Sequence, residues 1–400
     1  MLLITKPYLL LIRIPFTRNH AGRLFCDLLW AKDLKLHLNY LADFSICCPV
    51  VYSEDVHKLV DITDYPIRSI HELKMDVGIV SIIRNLAPNF FRVAYACKRA
   101  AIVHSSGAGW AFPLSFYVLI IKYFTKFQWV MVIESSFWMR GSNEKAGLRS
   151  MIRHQVYKIL LTACVKSADA RIFTQSFYRH FFLGEDTQRT LIAPAIWVEE
   201  ENILSPDAFE RRHAHRKAAV LECIYPARLI EDKGVLVLFA AIRLLQAAGV
   251  QVRISIMGTG ALEKMCRDFA QQDFGSVAVV FIEPVEYGPA FFAVLSQYDV
   301  VLVPNMKEEQ PRIIFDAFSQ GCCVIASNTS GIVDMTIDGE NVIIFERGNS
   351  KSLADAIQSI ANQPELIRAI GFHALDYIRG KSHQQMHRER ERFLTDVLDV

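Results

Sequence analysis

The residues best suited to ligand chemistry lie in the stretch "KEEQPRIIFDAFSQG", Lys307–Gly321, which follows the apolar run "YDVVLVPN". Glu308 and Asp316 are acids with seven residues between them. Reaching one cavity, they could hold two hydroxyl clusters of the same ligand, since each ionised carboxylate is purely an acceptor. A helix starting at Pro311 would set Ile314 and Phe318 on one face, beside Ile313 and Ala317. It would set Arg312, Asp316 and Ser319 on the other, polar face, and Gly321 would stop it. The plain alternative is an Arg312–Asp316 surface pair at i,i+4, worth only about 0.2–0.5 kcal/mol.

A second stretch, "PARLIEDKG", places Arg228 and Lys233 at the mouth of the next helix. Backbone N–H groups and the helix dipole already favour an anion there. Two fixed cations suit a diphosphate, and stabilise it further as it departs with extra charge. Both are expected to be exposed, and solvated surface cations would fit the same pattern. The Gly258-x-Gly260 pair in "MGTGALEKM" is accounted for by a tight turn.

These loops need strands to carry them. Apolar, β-rich runs alternate with helical patterns along the whole chain. The first half has "YLLLIRIP", "FSICCPVVY", "AAIVHSS", "QWVMVIES", "DARIFTQ" and "TLIAPA"; the second has "VLECIYPAR", "VQVRISIMG", "VAVVFIE", "DVVLVPN", "CCVIAS" and "NVIIFE". Near-continuous Val/Ile/Leu strands separated by helices predict parallel sheets covered on both faces. "KGVLVLFAAIRLLQAAG" is one crossover helix, with Val235, Leu238, Phe239, Ile242 and Leu245 as its apolar stripe. The polar segment 197–216, "WVEEENILSPDAFERRHAHR", separates the two series and reads as a linker. The expected fold class is therefore α/β, two Rossmann-like domains whose parallel sheets face a central cleft. The first covers 1–196, the second 217–375, and 376–400 is a C-terminal helical segment.

Composition agrees with a globular chain: 52% of its 400 residues are hydrophobic and 22% charged, with a net charge of +2. That balance gives no case for nucleic acid. Between Arg92 and Arg179, however, thirteen basic residues face only Glu134, Glu144 and Asp169. A basic lobe suits an anionic membrane surface or a phosphate-bearing substrate, and equally a solvated face. "EKAGLRSMIRHQVYKILL" reads as a helix with Leu148, Ile152, Val156 and Ile159 in one stripe, and Lys145, Arg149, Arg153 and Lys158 beside it. Core packing and membrane docking both fit it. The nine cysteines, without C-x-x-C, read as reduced cytosolic usage. "MLLITKPYLLLIRIPF" makes a poor signal peptide, and "FPLSFYVLII" is too short to span a bilayer. No D-x-D, H-E-x-x-H, zinc-type cluster, G-x-S-x-G or Walker loop occurs, so neither metal nor resident cofactor is expected.

"ARLIEDKG", "IMGTG" and "EEQPRIIFDAFSQGCCVIAS", in this order and spacing, resemble the donor-binding half of retaining nucleotide-sugar glycosyltransferases of group 1, also called family 4, with the GT-B fold. The resemblance runs from about Leu221 to Ala361, and is loose over the first domain, resting there on strand order and "SADARIFTQS". It implies that Glu308 holds hydroxyls of the donor sugar and acts near the reacting carbon, that Asp316 holds the ribose, and that Arg228 and Lys233 bind the diphosphate. The family's second acid is usually Glu, one methylene longer than Asp316. Its glycine-rich loop after the first acid is "EQP" here. Where members often have paired glycines after the first strand, "TRNHAGRLF" offers only Gly22 as a donor contact.

The first domain is expected to bring the acceptor. His104 in "IVHSSGAGW" and Glu134 in "VMVIESSFW" end strands that would face the cleft. Many members have a histidine where Glu134 aligns. Either residue suits a catalytic contact, and either suits a buried, satisfied strand end. Trp30, Asp33 and His37 on one helix suit a sugar or the core. The implied activity is metal-independent, retaining transfer from a nucleotide-diphosphate sugar to a glycan or lipid-linked glycan acceptor, in cell-surface polysaccharide or glycoconjugate biosynthesis. It would take place in the cytoplasm, at the inner membrane face. A sugar-nucleotide epimerase on the same fold, or a non-catalytic sugar-nucleotide-binding partner of another transferase, are the alternatives.

Overall fold

The computed structural model describes residues 3–107, 112–136, 138–139, 147–214 and 220–399. They form two compact units: one runs to Pro194 and takes in Met386 onward, the other comprises Ala195–Gln385. Each is built on its own sheet.

In the first unit, parallel strands lie in the order Thr190–Ile192, Ala170–Phe173, Gln128–Ile133, Ile102–Ser106, Tyr8–Leu11 and Phe44–Tyr52. All six were readable as apolar runs. Ser69–Leu73 adds a further parallel strand beside Phe44–Tyr52. Phe16–Arg18, Leu24–Cys26 and Val60–Asp61 extend the sheet as short antiparallel pairs. The helices Ile79–Cys97, Leu114–Ile121 and Leu148–Ser167 supply one core, around Leu9, Val103 and Trp129. Leu28–Leu38 and the end of the C-terminal helix supply another, around Tyr8, Leu10 and Phe44. The sheet is thus covered on both faces, as its unbroken apolar strands require.

The second unit has a six-stranded parallel sheet in the order Val277–Ile282, Val252–Met257, Leu221–Pro226, Val300–Val303, Cys323–Ser327 and Ile343–Phe345. The chain works outward from Leu221–Pro226 on one side, then returns to its other side with Val300–Val303. The order therefore reverses between these two central strands, where open α/β sheets open a crevice at the strands' carboxyl ends. The helix Val235–Ala247 buries its predicted stripe of Val235, Leu238, Phe239, Ile242 and Leu245.

Two expected boundaries change. Segment 197–216 is no free linker, because its described part packs into the second unit. It contains the helix Pro206–Ala214, whose Phe209 is fully buried, and Val198 is buried too. The abundant charges mask its apolar residues Val198, Ile203, Leu204 and Phe209, which join the core of the second unit. The C-terminal segment is likewise divided: the helix His383–Val397 starts in the second unit and ends in the first.

Candidate functional site

The second unit carries a cavity of about 210 Å³ at the sheet's switch point, and Arg228, Lys233, Tyr287, Arg312 and Asp316 all line it. Arg228 leaves the strand Leu221–Pro226, and Pro311–Asp316 follows Val300–Val303. The sheet topology thus brings together residues 88 positions apart in sequence.

The Arg228 loop is pinned from behind by the Gly258-x-Gly260 turn. Ala227 N–H donates to the Met257 carbonyl (3.0 Å), and Leu229 N–H to the Thr259 carbonyl (2.8 Å). A Cβ at Gly258, whose φ is +154°, would fall 1.9 Å from the Ala227 carbonyl oxygen. The turn therefore buttresses the cation loop. Arg228 itself is exposed, with no ion pair among the described residues. A second cavity of about 250 Å³ continues past it toward Thr259, Val285 and Phe291.

Lys233 departs from expectation. Its side chain is only 14% exposed and pairs with Glu309. Its carbonyl accepts from the Tyr225 hydroxyl at 2.9 Å. Gly234, the next residue, has φ +76°, and a Cβ there would fall 1.8 Å from the Pro304 carbonyl oxygen. The turn holding Lys233 therefore lies directly against the end of the neighbouring strand. Asp232 reinforces this by pairing with Lys307 at 2.6 Å.

Asp316 is 5% exposed, on the helix Ile313–Ser319. Of the expected polar face, Asp316 and Ser319 are buried along with the apolar side, and only Arg312 at the helix start is exposed. Asp316 makes no ordinary surface pair with Arg312. Its Oδ1 accepts from the Tyr287 hydroxyl at 2.7 Å, while the Arg312 guanidinium sits over the Trp197 ring. Burial pushes the Asp316 carboxyl up to about 6, against the opposing pull of the Tyr287 hydrogen bond and Arg312. Glu308 lies outside the cavity lining: its Oε2 accepts from Ser330 N–H at 2.6 Å, and it pairs with Arg347. Tyr287, Glu309 and Arg347 escaped the sequence reading. Tyr287 and Arg347 come from loops that no local pattern links to the site, whereas Glu309 sits beside Glu308 and only its pairing with Lys233 was hidden.

In the first unit Glu134 is exposed at the carboxyl end of Gln128–Ile133, accepting from the Ser106 hydroxyl at 2.8 Å. Gly22 is exposed in the turn between Phe16–Arg18 and Leu24–Cys26, and its φ of +78° serves that turn. His104 is corrected. It is buried in mid-strand, with Nδ1 2.8 Å from the Tyr8 hydroxyl. Its ring lies 6.2 Å from that of His37, in a buried cluster where His387 Nε2 meets Asp33 Oδ1 at 2.9 Å and His37 Nδ1 is 3.0 Å from the Asp33 carbonyl. Among the described residues, Asp33, His37 and His387 form the one group close enough to hold a metal ion. Their mutual hydrogen bonds make a core network that secures the C-terminal helix. Trp30 packs at the edge of the same core, so this helix carries the core reading of its Trp, Asp and His.

The cluster predicts acid sensitivity. Burial pushes the His387 imidazole down to about 3, and His104 also well below its usual value. Their neutral forms contribute stability that is fully present above about pH 6.5, and lost as the pH falls below it, because the unfolded chain then binds more protons. Chemical denaturation should show stability falling by up to about 1.4 kcal/mol per pH unit for each histidine. His387→Gln should make that slope shallower, and a flat profile in the unmodified chain contradicts the account.

Comparison with known proteins bears on both units. Residues 221–363 match the family described as Glycosyl transferases group 1. The capsular polysaccharide biosynthesis glycosyltransferase CapM of Staphylococcus aureus is 24% identical over 166 residues, 40% of this chain and 42% of CapM. The putative colanic acid biosynthesis glycosyltransferase WcaL of Escherichia coli (strain K12) is 27% identical over 159 residues, 38% of this chain and 39% of WcaL. The chain thus spans less than half the length of these curated relatives. Among solved structures, Anabaena Alr3699/HepE in complex with UDP and glucose aligns over 98% of this chain and 99% of its own, with TM-score 0.68 and 14% identity. The sucrose-phosphate synthase of Thermosynechococcus elongatus aligns over 98% of both, with TM-score 0.71 and 16% identity. Residues 221–363 of this chain are thus similar to the group 1 glycosyl transferases, and the chain carries the GT-B fold.

Proposed function

We propose that the chain transfers a sugar from a nucleotide-diphosphate donor to a glycan or lipid-linked glycan, with retention, in the building of a cell-surface polysaccharide. The observation carrying this reading is the switch-point cavity, which combines Arg228 and Lys233 with the buried acceptor Asp316. In the reaction the bond from the anomeric carbon to the diphosphate oxygen breaks. The acceptor oxygen bonds to that carbon, and its proton ends on the departing nucleoside diphosphate. Arg228 and Lys233 meet the charge that develops there, so two fixed cations supply what a divalent ion would otherwise supply. Asp316 accepts from the ribose hydroxyls, and Glu308 from the sugar. Glu134 is the first unit's candidate for contact with the acceptor hydroxyl, being exposed at a strand's carboxyl end.

Thermal unfolding with added nucleotide tests the donor side. A nucleoside diphosphate should raise the melting temperature with concentration, and the corresponding nucleoside should not. Release of nucleoside diphosphate from a nucleotide sugar, accelerated by a glycan acceptor, tests transfer. Equal stabilisation by nucleoside and diphosphate would remove the two cations from the reading.

A further inference from the structure

We propose that the helices Ile79–Cys97 and Leu148–Ser167 of the first unit form a bilayer-docking face for anionic lipid. Each helix is anchored through its C-terminal half, by Val93 and Cys97 in one, and by Leu161 and Val165 in the other. Each also presents exposed apolar residues, most of them toward its N-terminus. On the first, Ile79, Val80 and Ile83 are 69%, 81% and 72% exposed. On the second, Leu148 is 72% exposed, and Met151, Ile152, Val156 and Ile159 are also open to solvent. The stripe read from the sequence as core or docking face is therefore not core. Lys145 and the Arg149 side chain lie outside the described residues.

Topology sets the two stripes toward one edge of the sheet. Both helices follow parallel strands, Ser69–Leu73 and Gln128–Ile133, and so both start at the same edge of the sheet. The largely buried helix Leu114–Ile121 packs with the same core between them. Singly exposed apolar residues are ordinary, but several clustered on each of two helices that start at one sheet edge mark an interaction site.

Charge identifies the occupant. Neither long helix contains an Asp or Glu, nor does Leu114–Ile121. Arg84, Arg92, Arg153 and Lys158 are exposed beside the apolar residues. Apolar residues flanked by cations, without an acid among them, match an interfacial helix on anionic headgroups. A second copy of this chain fits poorly. A two-fold pairing of the face would set these cations against one another with no carboxylates from these helices between them. The same sheet edge carries Glu134, so the proposal deepens the acceptor side of the function by placing the acceptor's carrier in a bilayer.

Sedimentation of the full chain with vesicles tests this, with no nucleotide present, so its outcome is independent of the donor site. Phosphatidylglycerol-containing vesicles should pellet the protein, phosphatidylcholine alone should do so weakly, and added salt should release it. Ile83→Glu combined with Ile152→Glu should weaken vesicle binding by about tenfold or more. Arg84→Gln with Arg153→Gln should remove much of the salt dependence. Thermal unfolding should be unchanged in both variants, since all four side chains face solvent. Failure to bind anionic vesicles, or equal binding by the Ile83→Glu/Ile152→Glu variant, overturns the proposal. So does lipid-independent dimerisation that the same variant abolishes, which would assign the face to a second copy.

Discussion

Lys233→Ala is expected to lower kcat by about a hundred- to a thousandfold, and Arg228→Ala by about a hundredfold. Loss of one preorganised stabiliser of developing charge costs roughly this much. The two differ because of Glu309. Lys233 pairs with Glu309 beside the cavity, whereas Arg228 makes no such pair among the described residues. Removing Lys233 therefore subtracts a cation and leaves an uncompensated carboxylate facing the diphosphate. Removing Arg228 subtracts only the cation. Glu309→Ala alone should tighten nucleoside diphosphate binding, since Lys233 is then released from its partner. Added to Lys233→Ala, it should restore part of the lost activity. Turnover with a nucleotide sugar, beside nucleoside diphosphate titrations of all four proteins, distinguishes these effects. Near-normal kcat in both single cation variants would sink the diphosphate assignment. Equal activity of Lys233→Ala with and without Glu309 would show that the acid plays no part. Stability separates them too: Arg228→Ala should unfold like the parent, while Lys233→Ala should lose some stability at a site only 14% exposed.

How far the site was legible depends on how locally each feature is encoded. The twelve apolar runs became twelve strands, because strands in the middle of a sheet covered on both faces are apolar throughout, and the edge strands Thr190–Ile192 and Val277–Ile282 keep enough of that pattern. Ser69–Leu73, "SIHEL", was missed because it is only partly buried and carries a histidine and a glutamate. Arg228, Lys233 and Asp316 follow strand ends, where a doubly wound sheet presents its loops, but their roles rested on the resemblance to the transferase family. What could not be read was pairing across the fold. The Lys233–Glu309 pair spans 76 residues, and Arg347 reaches Glu308 across 39. His104 shows a different limit. Its strand position suited either a catalytic contact at the cleft or a buried, satisfied residue, and the partners that decide for the second, Tyr8 and the His37–His387 cluster, come from distant segments. The helix Leu148–Ser167 shows a third case, because an apolar stripe has the same period whether or not a core covers it. The exposure of Leu148 and Ile152 excludes the core.

Glu308 and Asp316 are expected to fail in different ways. Asp316 is enclosed, lines the cavity and already accepts from Tyr287, which leaves acceptor capacity for a ligand in that cavity. Asp316→Asn should weaken nucleotide sugar and free nucleoside diphosphate together by roughly ten- to a hundredfold, the worth of a charge-assisted hydrogen bond. Glu308 stands outside the cavity lining, held by Ser330 N–H and Arg347. Glu308→Gln should leave nucleoside diphosphate binding almost unchanged and lower kcat, because its contacts matter as charge develops on the sugar. The pH adds an independent test. With its carboxyl raised to about 6, Asp316 is largely ionised at neutral pH and increasingly protonated below 6. Ligand hydroxyls that donate to the carboxylate favour its ionised form, so binding must expel a proton in that range. Affinity for a nucleotide sugar should accordingly fall as the pH drops through about 6 and level off above it. A nucleotide sugar suits this titration because its diphosphate is esterified at both ends and does not itself titrate there. Asp316→Asn should bind weakly and without that slope, while Glu308→Gln should keep it. Equal loss of nucleotide affinity in both variants would refute the division of roles, and a slope that survives Asp316→Asn would remove Asp316 from the ligand.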